Sequence, residues 1–199
     1  MDIRMPKTLT KTTSFAEYLL LPYDGKQTEL VDGEIVYMAE ASPLHADIID
    51  FLLMLLKSCI LESEQDLIVR ASAIGVEIPR VEEQNNVRDP DLIVCDRTQW
   101  KGMRHLTKAV FSVDKPPALA VEVASPGNTR RDTKEKREEY ALAKVPEYWI
   151  VNPVDDYVLT LKLEGDSYQE IGEFRGDEEI QSILLPDIKV TAAALLDPQ

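Results

Sequence analysis

Two acidic residues lie in apolar segments that are typical of β-strands. Glu122 interrupts the run 119–124 (LAVEVA), and Asp91 stands immediately before the run 92–95 (LIVC). A carboxylate in such surroundings is costly unless it is paired, protonated or bound to a cation. Two carboxylates on neighbouring strands suit a hard ion such as Mg²⁺ or Mn²⁺, which binds oxygen and leaves positions for water and substrate phosphate. We predict Asp91 and Glu122 as metal ligands.

Each acid also has a simpler interpretation. Asp91 follows a proline at a strand entrance, where a turn or capping residue is common. Glu122 could form a buried salt bridge instead of a metal site. In a strand of period two, Glu122 shares its face with small residues, which leave room for a ligand: Ala118, Ala120 and Ala124.

A lysine on the next predicted helix completes the candidate catalytic group. Lys136 follows Glu122 by 14 positions, and Asp132, Lys136 and Tyr140 are spaced four residues apart, so they share one side of a helix. An ammonium near the metal could orient the attacking water or stabilise charge on a phosphate. The alternative is an ordinary exposed Asp132–Lys136 pair, worth about 0.2–0.5 kcal/mol.

The surrounding elements predict an α/β domain with a central mixed sheet flanked by helices. Ser14 and Glu17 have capping-box spacing, and Asp32-Gly33 predicts an N-terminal hairpin. An apolar stripe predicts a core helix over about 43–62. The segment 96–115 is expected to be a loop with one helical turn. The remaining predictions are strands at 66–79, with a break near 71–73, and at 89–96, 116–124 and 147–153, a turn at 125–128, a charged helix at 130–145, a C-terminal β-hairpin at 154–174 and a final helical turn.

Length and composition indicate one domain over residues 1–199, with 1–13 flexible. The chain is 44% hydrophobic, and it has neither an apolar run of about 18 residues nor a secretory leader. Two cysteines make neither a disulfide framework nor a zinc site. We therefore expect a soluble, cytoplasmic protein without a membrane partner.

The net charge of −14 has the wrong sign for coating nucleic acid by bulk electrostatics. The charge is uneven, since residues 97–137 carry ten Lys or Arg and four Asp or Glu. This basic strip either contacts a polyanion locally or is ordinary surface charge.

The order and spacing of six segments resemble the Uma-type family of restriction-endonuclease-like proteins, within the PD-(D/E)XK nuclease superfamily. The segments are TELVDGEI, SPLH, RDPDLIV, LAVEVASP, DTKEKREEY and VPEYWIVNP, and the resemblance covers roughly residues 15–186. It implies the restriction-endonuclease-like fold and a phosphodiesterase site dependent on Mg²⁺ or Mn²⁺. Asp91 matches the aspartate of the signature, and Glu122 matches its second acid.

This sequence departs from the signature at the lysine, whose place is taken by Ala124. The resemblance suggests that Lys136 has taken over the role; if its side chain cannot reach the site, the protein would bind metal without cutting. Glu29 resembles the additional acid of the superfamily, and the alternative for it is an exposed strand-end glutamate.

Two further residues are candidates for a supporting role. His45 would touch substrate or metal, or be a surface histidine, and Ser125 would hold phosphate or belong to a turn.

The function predicted from these residues is hydrolysis of DNA phosphodiester bonds by Asp91, Glu122 and Lys136. Two alternatives stay open: a weakly active or inert nuclease-fold interaction protein, and a metal-dependent hydrolase of a small phosphorylated substrate. The interaction protein would be a homodimer, and a sheet-edge hairpin near 154–174 could pair across its two-fold axis. The sequence does not specify a recognition site, the choice between DNA and RNA, or a partner methyltransferase.

Overall fold

The computed structural model describes residues 12–22, 24–38, 40–71, 73–81, 84–125 and 130–199, and it describes only the backbone of 130–133. The helices are α1 (Phe15–Leu20), α2 (Pro43–Glu62), α3 (Arg97–Met103), α4 (Arg130–Leu142) and α5 (Ala192–Leu196). The strands are β1 (Thr28–Val31), β2 (Glu34–Tyr37), β3 (Leu67–Ala71), β4 (Ile74–Ile78), β5 (Asn86–Arg88), β6 (Leu92–Asp96), β7 (Ala109–Phe111), β8 (Leu119–Val123), β9 (Glu147–Asn152), β10 (Tyr157–Glu164) and β11 (Ser167–Phe174).

The predicted α/β class is confirmed, and the strands are divided between two mixed sheets. The five-stranded sheet has the order β2-β1-β5-β4-β7, and the six-stranded sheet has the order β11-β10-β9-β8-β6-β3. Each contains one parallel pair, β4 with β7 and β8 with β9. The N-terminal hairpin is at one edge of the first sheet, and the C-terminal hairpin is at one edge of the second.

Two of the passages between the sheets are short corners that lie next to each other. Ala73, between β3 and β4, has a φ of 54°, and Pro90 separates β5 from β6. The Ile74 N–H donates to Oδ1 of Asp89 at 2.8 Å and so ties the corners together. Proline cannot donate to a ladder, and a positive φ turns the strand. These corners explain why the predicted single sheet is two.

Helices cover both faces of the six-stranded sheet. On one face, α2 and α5 pack on Leu119, Val121 and Val123 of β8. On the other face, the α4 residue Tyr140 packs in a cluster with Ala120. The alternation predicted for β8 is therefore confirmed, and α4 lies over the face that carries Glu122.

The helix starts and the hairpin turn predicted from local sequence signals are present in the structure. Ser14 and Glu17 make a reciprocal capping box at α1, and Ser42 caps α2 just before Pro43. At the hairpin, Asp32 and Gly33 have φ values of 49° and 81°, as a type I′ turn requires.

Two short strands were not predicted from the sequence. The polar segment after residue 79 contains β5, and the segment 96–115 contains α3 and β7. Both strands are three residues long and are held by pairing with β4, so their own sequences carry little periodic signal.

Three sequence-based expectations touch residues outside the described part of the chain. Residues 1–11 are outside it, whereas Thr13 donates its N–H to the Gly33 carbonyl at 2.8 Å. Residues 126–128 of the turn expected at 125–128, and the Asp132 side chain, also lie outside it. Within the described residues, no helix has both the length and the apolar character needed to span a bilayer.

Candidate active site

Asp91 and Glu122 meet at one end of the six-stranded sheet. Leu92 pairs with Val121 in the antiparallel ladder of β6 and β8. Continuing this register by one residue places Asp91 opposite Glu122, so both side chains start from the same face. The Val123 N–H donates to Oδ2 of Asp91 at 2.7 Å, which fixes one carboxylate oxygen to the neighbouring strand.

Glu122 is buried and held by two residues of α4. Lys136 donates to its Oε2 at 2.9 Å, and the Tyr140 hydroxyl donates to its Oε1 at 2.6 Å. Burial is the main cause that raises the pKa of Glu122 to about 7, and the charges of Asp91 and Glu29 act in the same direction. Lys136 and Tyr140 oppose this rise. The raised pKa therefore reflects mainly the cost of burying the carboxylate charge, to which the two neighbouring acids add.

A buried charge network connects this site to the five-stranded sheet. Lys136 Nζ lies 3.6 Å from Oε1 of Glu29, and Oε2 of Glu29 accepts from Arg88 at 2.6 Å. Arg88 also donates to Glu139, one turn after Lys136 on α4, at 2.5 Å. Glu139 pairs in addition with Arg80. The network fixes the position of α4, and thus of Lys136, relative to β1 and β5.

His45 joins Asp91 to Ser125 at the start of α2. Its Nε2 lies 3.1 Å from Oδ1 of Asp91, and its Nδ1 lies 3.1 Å from the Ser125 Oγ. The hydrogen bond to Asp91 is the main cause that raises the pKa of His45 above its ordinary value. The His45 N–H also donates to the Ser42 capping oxygen at 3.2 Å, so the helix start positions the imidazole.

An open cleft of about 320 Å³ gives access to these groups. It is lined by Gln27, Met38, Ala41, His45, Ala46, Ile49, Asp50, Asp91, Glu122, Val123, Ser125 and Lys136. Five of the six candidate site residues thus line one cleft. The sixth, Glu29, is 3% exposed and does not line the cleft, but its Oε1 lies 3.6 Å from Lys136 Nζ.

The candidate metal ligands are two carboxylates, those of Asp91 and Glu122. Across the described chain, no group of three or more His, Cys, Asp or Glu side chains is arranged to hold a metal ion. Two carboxylates at an open cleft fit Mg²⁺ or Mn²⁺, which commonly takes one or two protein carboxylates and fills its other positions with water and phosphate. A closed structural zinc site would need four protein ligands, which the cleft does not supply.

The sequence analysis did not identify Arg88 and Glu139 as part of the site. It placed Tyr140 on the same side of the helix as Lys136, but nothing in the sequence predicted that Tyr140 contacts Glu122. Arg88 precedes Asp91 in RDPDLIV, and Glu139 lies three residues after Lys136. Their spacing is that of ordinary surface charges, because burial of these positions depends on how the second sheet packs against α4.

The fold is restriction-endonuclease-like. A solved structure described as a putative nuclease of DUF820 from Anabaena variabilis ATCC 29413 matches it with a TM-score of 0.70. The two chains are 13% identical, and the match covers 92% of this chain and 97% of the other. At this identity the likeness shows the fold alone.

The sequence places the chain in a family. The Uma2 family, whose description is "Putative restriction endonuclease", matches residues 15–193. The chain therefore belongs to the Uma2 family, as its six segments indicated. No curated protein matches this sequence at a significant level.

Proposed function

We propose that this protein is an endonuclease that hydrolyses DNA phosphodiester bonds with Mg²⁺ or Mn²⁺. The observation that carries the proposal is the convergence of Asp91 and Glu122, from two adjacent strands, on a cleft that also contains the Lys136 ammonium. Membership in the Uma2 family supports a nuclease rather than another use of the fold.

Asp91 and Glu122 would hold the divalent ion. Their oxygens are hard ligands, and a dication would favour the ionised form of Glu122, whose pKa is raised mainly by burial and further by the charges of Asp91 and Glu29. When bound, such an ion lowers the pKa of water and neutralises charge on a phosphate. Each carboxylate keeps lone pairs beyond the hydrogen bonds already formed.

The chain's own groups would position the reactants. Lys136 is held between Glu122 and Glu29 and lines the cleft, so its ammonium would lie near a phosphate bound there and would stabilise the charge that develops on it. In the reaction a water oxygen bonds to phosphorus, one ester P–O bond breaks, and the leaving oxygen takes up a proton. His45 fixes the orientation of Asp91, and Ser125 lies where it can donate to a phosphate oxygen.

Cleavage of plasmid DNA tests the proposal. The purified protein with millimolar Mg²⁺ or Mn²⁺ should convert supercoiled DNA to nicked circles. Glu122→Gln should abolish nicking, while Glu179→Gln, an exposed acid paired with Lys189, should not. Equal nicking by wild type and Glu122→Gln would reject the site.

An interaction protein without catalysis is the second candidate. The observation in its favour is that Lys136 already supplies a cation at 2.9 Å from Glu122, and the chain is strongly acidic. Such a protein would act as a homodimer, and β11 is an edge strand that could pair with a second copy. A calorimetric titration separates the candidates, because the inert protein would bind no Mn²⁺ at millimolar concentration.

A third candidate function is hydrolysis of a small phosphorylated substrate, and it predicts that the protein does not bind DNA. Metal binding without retention of DNA would favour it.

A further inference from the structure

The basic strip at 97–137 divides into two parts that differ in their acids. Helix α4 carries four Asp or Glu among its five Lys and Arg; Lys136 is buried in the site, and Arg137 pairs with Glu170 at 3.1 Å. The other part is α3 and the turn that leads to β7. The chain has 36 Asp and Glu residues, yet none of them lies in the segment 97–113. Positive charge is therefore offset by neighbouring acids on α4 and not on α3.

The cations of α3 and of the turn after it are accessible to solvent. Lys101 and Arg104 are exposed, and Lys108 is half-buried. In the described part of the chain, none of these three side chains has a carboxylate within ion-pair distance, whereas Arg97 at the helix start pairs with Asp66 at 2.9 Å. Three positive charges in one short segment thus stay available to an anion.

Helix α3 presents an open side to solvent. Trp100 and Met103 face the interior, where they pack in a cluster with Ile93. The helical period places Lys101 and Gly102 on the opposite side. A Cβ added at Gly102 would meet no heavy atom within 4 Å. A large ligand can therefore approach this side of α3 without displacing side chains.

Arg70 of the edge strand β3 extends the positive surface. Its guanidinium carbon lies 5.1 Å from the ring centre of Trp100. Burial is the main cause that lowers the pKa of Arg70, and the charges of Arg97 and Arg104 act in the same direction. The guanidinium groups of β3 and α3 thus lie within electrostatic reach of one another.

We call Arg70, Lys101, Arg104 and Lys108 the α3 surface. It lies on the same face of the six-stranded sheet as the candidate site. Ile93, on which α3 packs, pairs with Ala120 in the ladder of β6 and β8. Ala120 points to the same side of β8 as Glu122, because the two residues are two positions apart.

Lys108 is the end of the α3 surface nearest the site. It precedes Ala109, which pairs with Ile74, and the Ile74 N–H donates to Asp89, two residues before the candidate metal ligand. Lys108 also lines a small cavity together with Gln27, and Gln27 lines the cleft as well. The α3 surface therefore begins beside the cleft.

A ligand for this surface must carry several negative charges along its length. The cations contact different elements, since Lys108 Nζ lies 4.5 Å from the ring centre of Tyr18 on α1, whereas Arg70 lies over Trp100. A DNA strand fits this spread, because it carries one phosphate charge per about 3.4 Å of helix axis. The net charge of −14 repels such a polyanion elsewhere on the protein.

We propose that the α3 surface binds the phosphate backbone of DNA on one side of the phosphate that is cut. Lys108 contacts the backbone nearest the cleft, and Lys101 and Arg104 contact it further out. Such contacts add affinity without reading the base sequence. The inference rests on the proposed nuclease function and extends it, because it assigns the DNA that flanks the cut to a defined surface.

Anisotropy of short fluorescein-labelled DNA duplexes in EDTA tests the surface without cleavage. The double variant Lys101→Ala/Arg104→Ala should weaken binding about tenfold per lost contact near 0.1 M salt, and reduce the slope of log K against log salt by about 0.9 per contact. Two duplexes of unrelated sequence should lose the same factor, because phosphate contacts carry no sequence information.

A matched control removes the same total charge from elsewhere. Lys57 and Lys189 are both exposed, and Lys57 belongs to α2, which covers the opposite face of the sheet. Lys57→Ala/Lys189→Ala should therefore leave affinity and salt slope as in the wild type.

Gly102 provides a test that removes no side chain. Gly102→Glu adds a carboxylate to the open side of α3 and should weaken DNA binding about tenfold, as the loss of one cation does. Gly102→Ala adds a methyl group without charge and should bind DNA like the wild type. Both substitutions replace glycine in a helix with a better helix former, so α3 should remain folded.

Wild-type affinity and salt slope in both Lys101→Ala/Arg104→Ala and Gly102→Glu would overturn the proposal, as would absence of DNA binding by the wild type. Equal losses in Lys57→Ala/Lys189→Ala would also overturn it, because total charge and not position would then decide. Loss of binding to phosphatidylserine vesicles with DNA binding unchanged would assign the surface to a membrane instead. If the wild type nicks plasmid DNA with Mg²⁺ while the variants bind DNA like their controls, the surface fails and the proposed function stands.

Discussion

The ammonium of Lys136 lies 2.9 Å from Oε2 of Glu122, although the two residues belong to different elements, α4 and β8. Glu29 approaches the same ammonium at 3.6 Å from the other sheet. On the predicted match to the nuclease signature, the position of its lysine is occupied by Ala124, directly after β8. The lysine next to Glu122 is therefore supplied by α4 and not by β8.

Lys136→Met should lower DNA cleavage about 10²–10³-fold, because it removes the charge that would act on the phosphate while keeping most of the stem. Lys136→Arg should retain part of the activity. The measurement is single-turnover cleavage at saturating Mn²⁺. Lys134→Met, on an exposed part of the same helix, serves as the control. Equal rates for Lys136→Met and wild type would remove Lys136 from the mechanism.

Metal affinity should depend on pH through Glu122. A metal ligand must be deprotonated, and burial raises the pKa of Glu122 to about 7. Below pH 7 the association constant for Mn²⁺ should therefore fall about tenfold per pH unit, and above pH 7 it should level off. Isothermal titration calorimetry from pH 5.5 to 8.5 measures this. A constant affinity across the range would contradict the assignment of Glu122 as a ligand.

The part of the site that the sequence predicted consists of residues with an unusual local setting. Glu122 is an acid within an apolar strand, Asp91 stands at a strand entrance, and α2 has the bounds that its apolar stripe indicated. Such features depend on neighbours in the chain, which the sequence displays.

The features that were missed depend on contacts between distant segments. Arg88 and Glu139 are 51 positions apart and become a buried pair only when β5 and α4 pack together. The corners between the two sheets likewise carry a contact that no periodic pattern predicts, the hydrogen bond from the Ile74 N–H to Asp89.

Relative to wild type, Asp89→Asn should be more stable at high pH than at low pH. Burial is the main cause that raises the pKa of Asp89 from 3.8 to about 7. The folded state thus holds this proton more tightly than the unfolded chain, so its stabilisation is complete below about pH 4 and is lost as the pH rises through 7. Asparagine has no such proton.

Between pH 5 and pH 8 the free energy of unfolding of the variant relative to wild type should rise by about 3 kcal/mol, because about two pH units separate pH 5 from the pKa of 7 and each is worth about 1.4 kcal/mol. Urea denaturation in EDTA at the two pH values measures it. Other titrating groups are common to both proteins and cancel in the comparison. A difference that does not change with pH would show that Asp89 is not held protonated by the fold.

The central claim is that Asp91 and Glu122 together hold a divalent ion. A crystal structure of the protein soaked in Mn²⁺, with anomalous diffraction data, tests it most directly. We predict one strong anomalous peak in the cleft, at coordination distance from oxygens of both carboxylates, which disappears in Glu122→Gln. A cleft without a peak at millimolar Mn²⁺, with Lys136 still bound to Glu122, would contradict the claim.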